Sequence, residues 1–180
     1  MGTKAFTKMR IPLITISCAL LAGSAALAAE PGSAGTADTA SLKAEIEQLR
    51  SLVPGQSHAM IDVEYHFANL WFAGKDSNWP LATFYLNETR SRLQWALRIR
   101  TVRKLASGQD LDLKPMADAF EATGIAAIRS ALDSHDGKAF EAAYRAALSQ
   151  CHACHVAAEK PFLNPQIPQH PASPLINTGH

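Results

Sequence analysis

For most of this chain the apolar positions repeat with the period of a helix. Leu42, Ile46, Leu49 and Val53 recur at spacings of 4, 3 and 4, a stripe of less than two heptads that Pro54-Gly55 ends. This predicts a short amphipathic helix over 41–56. It is too short to stand alone in water, so it docks on the main body or pairs with another chain. Four longer segments follow. The first, from about Ser57 to Ala73, carries Ala59, Met60, Val63, Phe67, Leu70 and Trp71 on one wide face. Ile61, Tyr65, Ala68 and Phe72 lie on its other side, so burial nearly all round is predicted. The second opens at Pro80, a residue suited to a first helical turn, and runs to about Leu105, before the breaker Ser107-Gly108-Gln109-Asp110. The third starts near Asp112, tolerates Pro115 in its first turn and continues to about Leu132. The fourth follows an Asp136 N-cap. No run alternates with a period of two, so no strand is predicted. Four such helices joined by short loops imply an all-α fold, an antiparallel four-helix bundle over 57–160.

The two ends differ in character. Lys4, Lys8 and Arg10 precede an apolar run from Ile11 to Gly23, and Ala26 and Ala28 then form an A-x-A pattern. This reads as a signal peptide over 1–28, too short in its apolar part to span a bilayer comfortably. Cys18 lies inside it, but Thr15 three residues earlier suits a lipoprotein site poorly. Residues 29–40 are small and read as a flexible linker. After residue 160, Pro161, Pro165, Pro168, Pro171 and Pro174 put half of the ten prolines into the last twenty residues. A tail over 161–180 of that composition is extended, either mobile or laid along the surface.

Composition narrows the function. The 47% apolar and 18% charged content suits a globular chain. A net charge of +1 with no long run of one sign offers nothing to nucleic acid. Losing the leader would remove three of the 17 basic residues and none of the 16 acidic ones, leaving a net of about −2. It would also remove one of three cysteines, so the fold cannot rest on a disulfide framework.

The two cysteines that remain sit in Cys151-His152-Ala153-Cys154-His155. C-x-x-C-H is the spacing at which a c-type haem is attached. Cysteines three apart on a helix present both sulfurs to one side, where two porphyrin vinyl groups can take them as thioethers. The next histidine projects to that face and can ligate iron. Phe140, Tyr144, Ala147, Cys151, Cys154/His155 and Ala158 form one stripe, so the motif lies on the face turned to the core. Export suits the same chemistry, and a periplasmic protein is expected. Zinc would need four ligands, and there is no second cysteine pair. A thioredoxin-like pair would open a helix in a βαβ unit rather than end one. A chance pair closed as an ordinary disulfide is the remaining alternative.

A helical bundle with the attachment site late in its last helix resembles the class II c-type cytochromes, the cytochrome c′ group. The likeness is carried by Asp136-Gly137-Lys138-Ala139-Phe140 leading to the cysteine motif, and extends more loosely over 57–160. A methionine ligand well downstream, as in cytochromes with an N-terminal site, is excluded because none of the 25 residues after His155 is methionine. The resemblance implies one covalent haem c held by Cys151 and Cys154, with His155 as proximal iron ligand. Residues 30–56 and the proline-rich tail have no counterpart in the compact members, and Tyr65-His66-Phe67-Ala68-Asn69-Leu70-Trp71-Phe72 departs from the expected first helix.

In that family the first helix covers the distal face, with methionine in electron carriers and an apolar residue in gas binders. Met60 is the candidate sixth ligand and His66 the alternative, with His58 nearer the polar edge. Either residue could instead be ordinary packing. Arg90, Arg92, Arg98, Arg100, Arg103 and Lys104 crowd the second helix, most simply as a solvated mixed face. Arg90 is the first candidate to pair with a haem propionate. Trp71, Trp79 and Trp95 are expected in core and haem-pocket packing. The leading expectation is a non-enzymatic electron carrier serving a redox partner protein. The alternative is a five-coordinate haem protein for nitric oxide or carbon monoxide. A homo-oligomer, or a larger complex reached through 41–53 and the tail, stays open.

Overall fold

The computed structural model describes residues 33–173 and 176–178. The leader read at 1–28, Cys18 and Pro174 lie outside the described residues. Helix dominates, as the periodicity predicts, and no helix among the described residues is long and apolar enough to cross a membrane. The chain divides into two compact units, Met1–Ile46 and Glu47–His180.

The first helix, α1, spans Ser33–Leu52 and so begins inside the stretch read as linker. This corrects the flexible linker expected over 29–40, since alanine, serine and threonine resist helix far less than glycine or proline do. The second unit carries the other elements. Helix α2 (Gln56–Lys75) opens after Gly55, and α3 (Trp79–Ile99) is capped by the Asn78 side chain, which accepts from the Leu81 amide at 3.3 Å. Pro80 sits in that first turn as predicted.

Helix α3 stops at Ile99, short of the predicted Leu105. The following residues form a small antiparallel hairpin, β1 (Val102–Lys104) and β2 (Asp110–Asp112), with Arg103 opposite Leu111. This corrects the expectation of no strands. Three residues per strand are too few to display an alternating pattern, and the hairpin is set by its turn. Leu105 donates to the Gln109 carbonyl at 2.8 Å, and Gly108 takes φ +87°.

Helix α4 (Lys114–Phe120) passes through a π-helical stretch, Glu121–Ile125, into α5 (Ala126–Asp133). Thr123 donates its hydroxyl to the Ala119 carbonyl at 2.7 Å, competing with the backbone ladder there. A Cβ on Gly124 would lie 2.6 Å from the Phe120 ring, so only glycine fits that turn. Helix α6 (Gly137–Ala157) begins as predicted, with Asp136 Oδ1 accepting from Lys138 and Ala139 at 2.9 and 3.0 Å.

Helices α2 and α3 run antiparallel. Gln56 at the start of α2 donates to the carbonyls of Ala96 and Arg100 near the end of α3, while His66 meets Glu88 farther along. Helix α6 turns back along α5 and also lies against α2. Phe67 stacks on Tyr144 with 4.3 Å between ring centroids, and the Tyr144 hydroxyl donates to the Phe67 carbonyl at 2.9 Å. The core gathers Phe67, Leu70, Trp71, Tyr85, Leu86, Ile128, Leu132, Phe140 and Tyr144. Helix α2 is not buried all round as predicted: Ile61 and Tyr65 are 59% and 36% exposed, because its main neighbours α3 and α6 do not cover that side.

The proline-rich tail lies along the surface. Glu159 takes φ +58° and turns the chain out of α6, Ile167 packs against the core, and the Ser173 amide donates to buried Asn69 at 3.3 Å. Thr178 then donates to Asp76 at 2.7 Å.

Gly74 tests the packing. An added Cβ would stand 2.3 Å from the ring of Phe140, itself wholly buried and unable to swing aside. Gly74→Ala should therefore destabilise the protein by about 1–3 kcal/mol despite its better helix propensity. Urea unfolding measures this, and an unchanged midpoint would refute the close approach of α2 and α6.

Candidate functional site

The last three turns of α6 carry both described cysteines. Phe140, Tyr144 and Ala147 of its apolar stripe are fully buried, and Cys151 continues that stripe, half-buried against the same cluster. Cys154 and His155 follow on the same side, also half-buried. Both cysteines are free thiols, not joined to each other.

Burial pushes the Cys151 thiol up to about 11, with the neighbouring Cys154 adding to the effect; burial also raises Cys154. Their place near a helix C-terminus acts the same way, since carbonyl ends disfavour a thiolate. A catalytic redox thiol needs the opposite surroundings. Among the described residues, no cluster of three or more His, Cys, Asp or Glu side chains is arranged to hold a bare metal ion.

The histidines of the motif are held by the tail. His155 Nδ1 lies 2.7 Å from the Leu163 carbonyl and His152 Nε2 lies 3.1 Å from the Pro161 carbonyl. A carbonyl oxygen can only accept, so Nδ1 of His155 is the donor in this contact. This is the arrangement in which a histidine ligates iron, with its second nitrogen bonded to a backbone carbonyl. The two carbonyls carry no side-chain signal, so the sequence could not reveal them.

Met60 lies on the face of α2 that also presents Phe67, Trp71 and Gly74, and it stays half-buried. From the Phe67–Tyr144 stack, Met60 is seven residues back along α2 and Cys151 seven residues on along α6. Gly74 of α2 meets Phe140 of α6 while Phe67 meets Tyr144, so the two helices run antiparallel, and Met60 and Cys151 both lie on the far side of the stack from Gly74. Around this end the apolar side chains are incompletely covered. Val63 of α2, Trp95 and Leu97 of α3 and Met116 of α4 are all half-exposed, whereas Leu70, Ala73 and Phe140 toward Gly74 are fully buried.

His66 points elsewhere. It packs between Tyr65 and Tyr85, its Nε2 stands 3.9 Å from Glu88, and its Nδ1 is buried without a partner. Burial lowers its pKa, with Glu88 pulling the other way. His58 is exposed. Arg90 is engaged at 2.5 Å by Glu121 of the π-helical stretch. Arg92 pairs with Glu88 at 3.0 Å, Arg103 donates to Gln56 at 3.2 Å and Lys104 pairs with Asp110 at 3.3 Å. Arg90, Arg92 and Arg98 thus lie on α3 in a mixed, largely solvated face, while Arg103 and Lys104 belong to β1 rather than to that helix. Trp71 lies in the core, and Trp79 stacks on His135.

The thiol environment is open to test in protein made without haem. Cys151 should react with iodoacetamide at pH 7 about a hundredfold more slowly than an unperturbed cysteine. The rate should climb about tenfold per pH unit toward 10 without levelling. A rate plateau near pH 8 would contradict the buried, raised thiol.

No family model, no curated protein and no solved structure matches this chain, so its functional reading rests on the residues themselves.

Proposed function

We propose that this protein is a periplasmic monohaem c-type cytochrome of the class II kind, an electron carrier rather than an enzyme, with its four long helical segments acting as an up-and-down four-helix bundle. One observation carries the reading: Cys151 and Cys154 continue the core-facing stripe of α6, and His155 beside them is bonded through Nδ1, leaving Nε2 free. The donor set suits haem c. Cys151 and Cys154 take the two vinyl groups, each thiol adding across a double bond to leave a thioether, and His155 is the proximal ligand. A haem bound there supplies an iron that accepts and releases one electron.

The chain's own residues do the rest. The Leu163 carbonyl orients the His155 ring. Met60, on the same side of the Phe67–Tyr144 stack as Cys151, is the sixth ligand. His66, turned toward α3, is the less favoured one. Val63, Trp95 and Met116 lie toward the same end, where a macrocycle would cover their half-exposed surfaces. Arg90 would have to leave Glu121 to reach a propionate, so Arg98 or Arg100, exposed at the same end of α3, are better placed to meet one or to dock a redox partner.

An absorption spectrum tests the proposal. The ferric protein should be low-spin, with the weak long-wavelength band of thioether ligation, and Met60→Ala should abolish that band while His66→Ala leaves it. A high-spin ferric form that binds carbon monoxide rapidly would overturn electron transfer in favour of gas binding. The tail supplies a second expectation. A chain ending at Lys160 should have a reduction potential raised by on the order of 40 mV, equivalent to about 1 kcal/mol for one electron, because His155 loses its acceptor. A chain ending at Asn164 keeps the Leu163 carbonyl and should keep the potential. Equal potentials in the two would refute a role for that carbonyl.

A further inference from the structure

Helix α1 presents a seam that nothing in the haem reading uses. Leu42, Ile46, Leu49 and Val53 lie along one side of it and are 51%, 47%, 58% and 50% exposed. Leu52, beside the end of the seam, is 71% exposed. A helix of this length has little intrinsic stability in water and needs a partner for such a stripe.

The residue types specify the partner. With Ile46 and Val53 at heptad position a, Leu42 and Leu49 fall at d. β-Branched residues at a with leucine at d favour two parallel strands over three or four. The flanks agree. Position g holds Asp38 and Glu45, with Leu52 at its end, and position e holds Lys43 and Arg50. In a parallel pair, g of one helix meets the e that follows by five residues on the other. That sets Asp38 against Lys43 and Glu45 against Arg50 of a second copy, opposite charges in every case. In an antiparallel pair g meets g and e meets e, which would place acid on acid and base on base. Within one chain Arg50 pairs with Glu47 at 2.6 Å, but both side chains are about 70% exposed, and such a pair is exchanged at little cost.

A lipid surface fits less well. From Ser33 to Leu52 the charged residues are Asp38, Lys43, Glu45, Glu47 and Arg50, a net of −1 with no cationic face for anionic headgroups. We infer that α1 is a parallel homodimerisation helix, its Leu42–Val53 seam pairing with the same seam of a second copy. The inference is independent of the haem.

Sedimentation equilibrium of the purified protein tests it. The protein should show a concentration-dependent monomer–dimer equilibrium, and Ile46→Lys should leave only monomer with an unchanged near-ultraviolet signature from the second unit. Glu45→Lys sets the new lysine against Arg50 of the second copy at both ends of the symmetric pair, and should weaken the dimer about tenfold. Adding Arg50→Glu should restore it. A molecule that is monomeric even at about 0.5 mM would overturn the inference, since association tighter than millimolar would show there. So would a dimer indifferent to Ile46→Lys, which would locate the interface elsewhere. A dimer strengthened by Glu45→Lys would mean antiparallel pairing and overturn the orientation. A monomer that binds phosphatidylcholine–phosphatidylglycerol vesicles through Ile46 would assign the seam to lipid instead.

Discussion

The candidate site depends on one clasp between two helices. Tyr144 is buried within the core, stacks on Phe67 and donates its hydroxyl to the Phe67 carbonyl. Burial holds its own ionisation far above the ordinary range, so the hydroxyl remains a donor at any physiological pH. A ring stack alone would allow α2 to slide along α6. The added hydrogen bond ties the two helices together at Phe67 and Tyr144 and so opposes that sliding. Gly74, pressed against Phe140, lets the two helices come close enough for the clasp to form.

From that clasp the molecule runs in two directions with different physics. Toward Gly74 the aromatic and aliphatic side chains close on one another. Toward Met60 they do not, and thiols, thioethers and half-exposed aromatics remain around one end of the helices. The α6 stripe is therefore core at one end and site at the other. The tail completes the arrangement from outside, with Ile167 and Ser173 anchoring it while its first turn offers the carbonyls that meet His152 and His155.

Some of this was legible in the residues. Asp136 announces the start of α6 because its short carboxylate can meet two free amides, and Pro80 announces α3 because its fixed φ suits a first turn. The stripe that carries Cys151, Cys154 and His155 follows from their spacing alone. Other features were hidden for physical reasons. The hairpin is too short to express a period, and the π-helical stretch comes from Thr123 and Gly124 in a segment that otherwise reads as ordinary helix. The start of α1 is hidden because its small residues suit a linker and a helix alike. Burial all round α2 was overestimated, since an apolar residue such as Ile61 is buried only when a neighbour lies on its side.

The sequence by itself determined the helical character of the chain, the stripe that carries Cys151, Cys154 and His155, and the seam of α1. Each of these is a property of periodicity and residue chemistry along one helix. The tertiary structure decided what no single helix contains. It aimed His66 at Glu88 and Tyr85, paired Arg90 with Glu121 and set a backbone carbonyl against His155. Those outcomes depend on register and on main-chain groups that every residue shares, and spacing along the chain encodes neither.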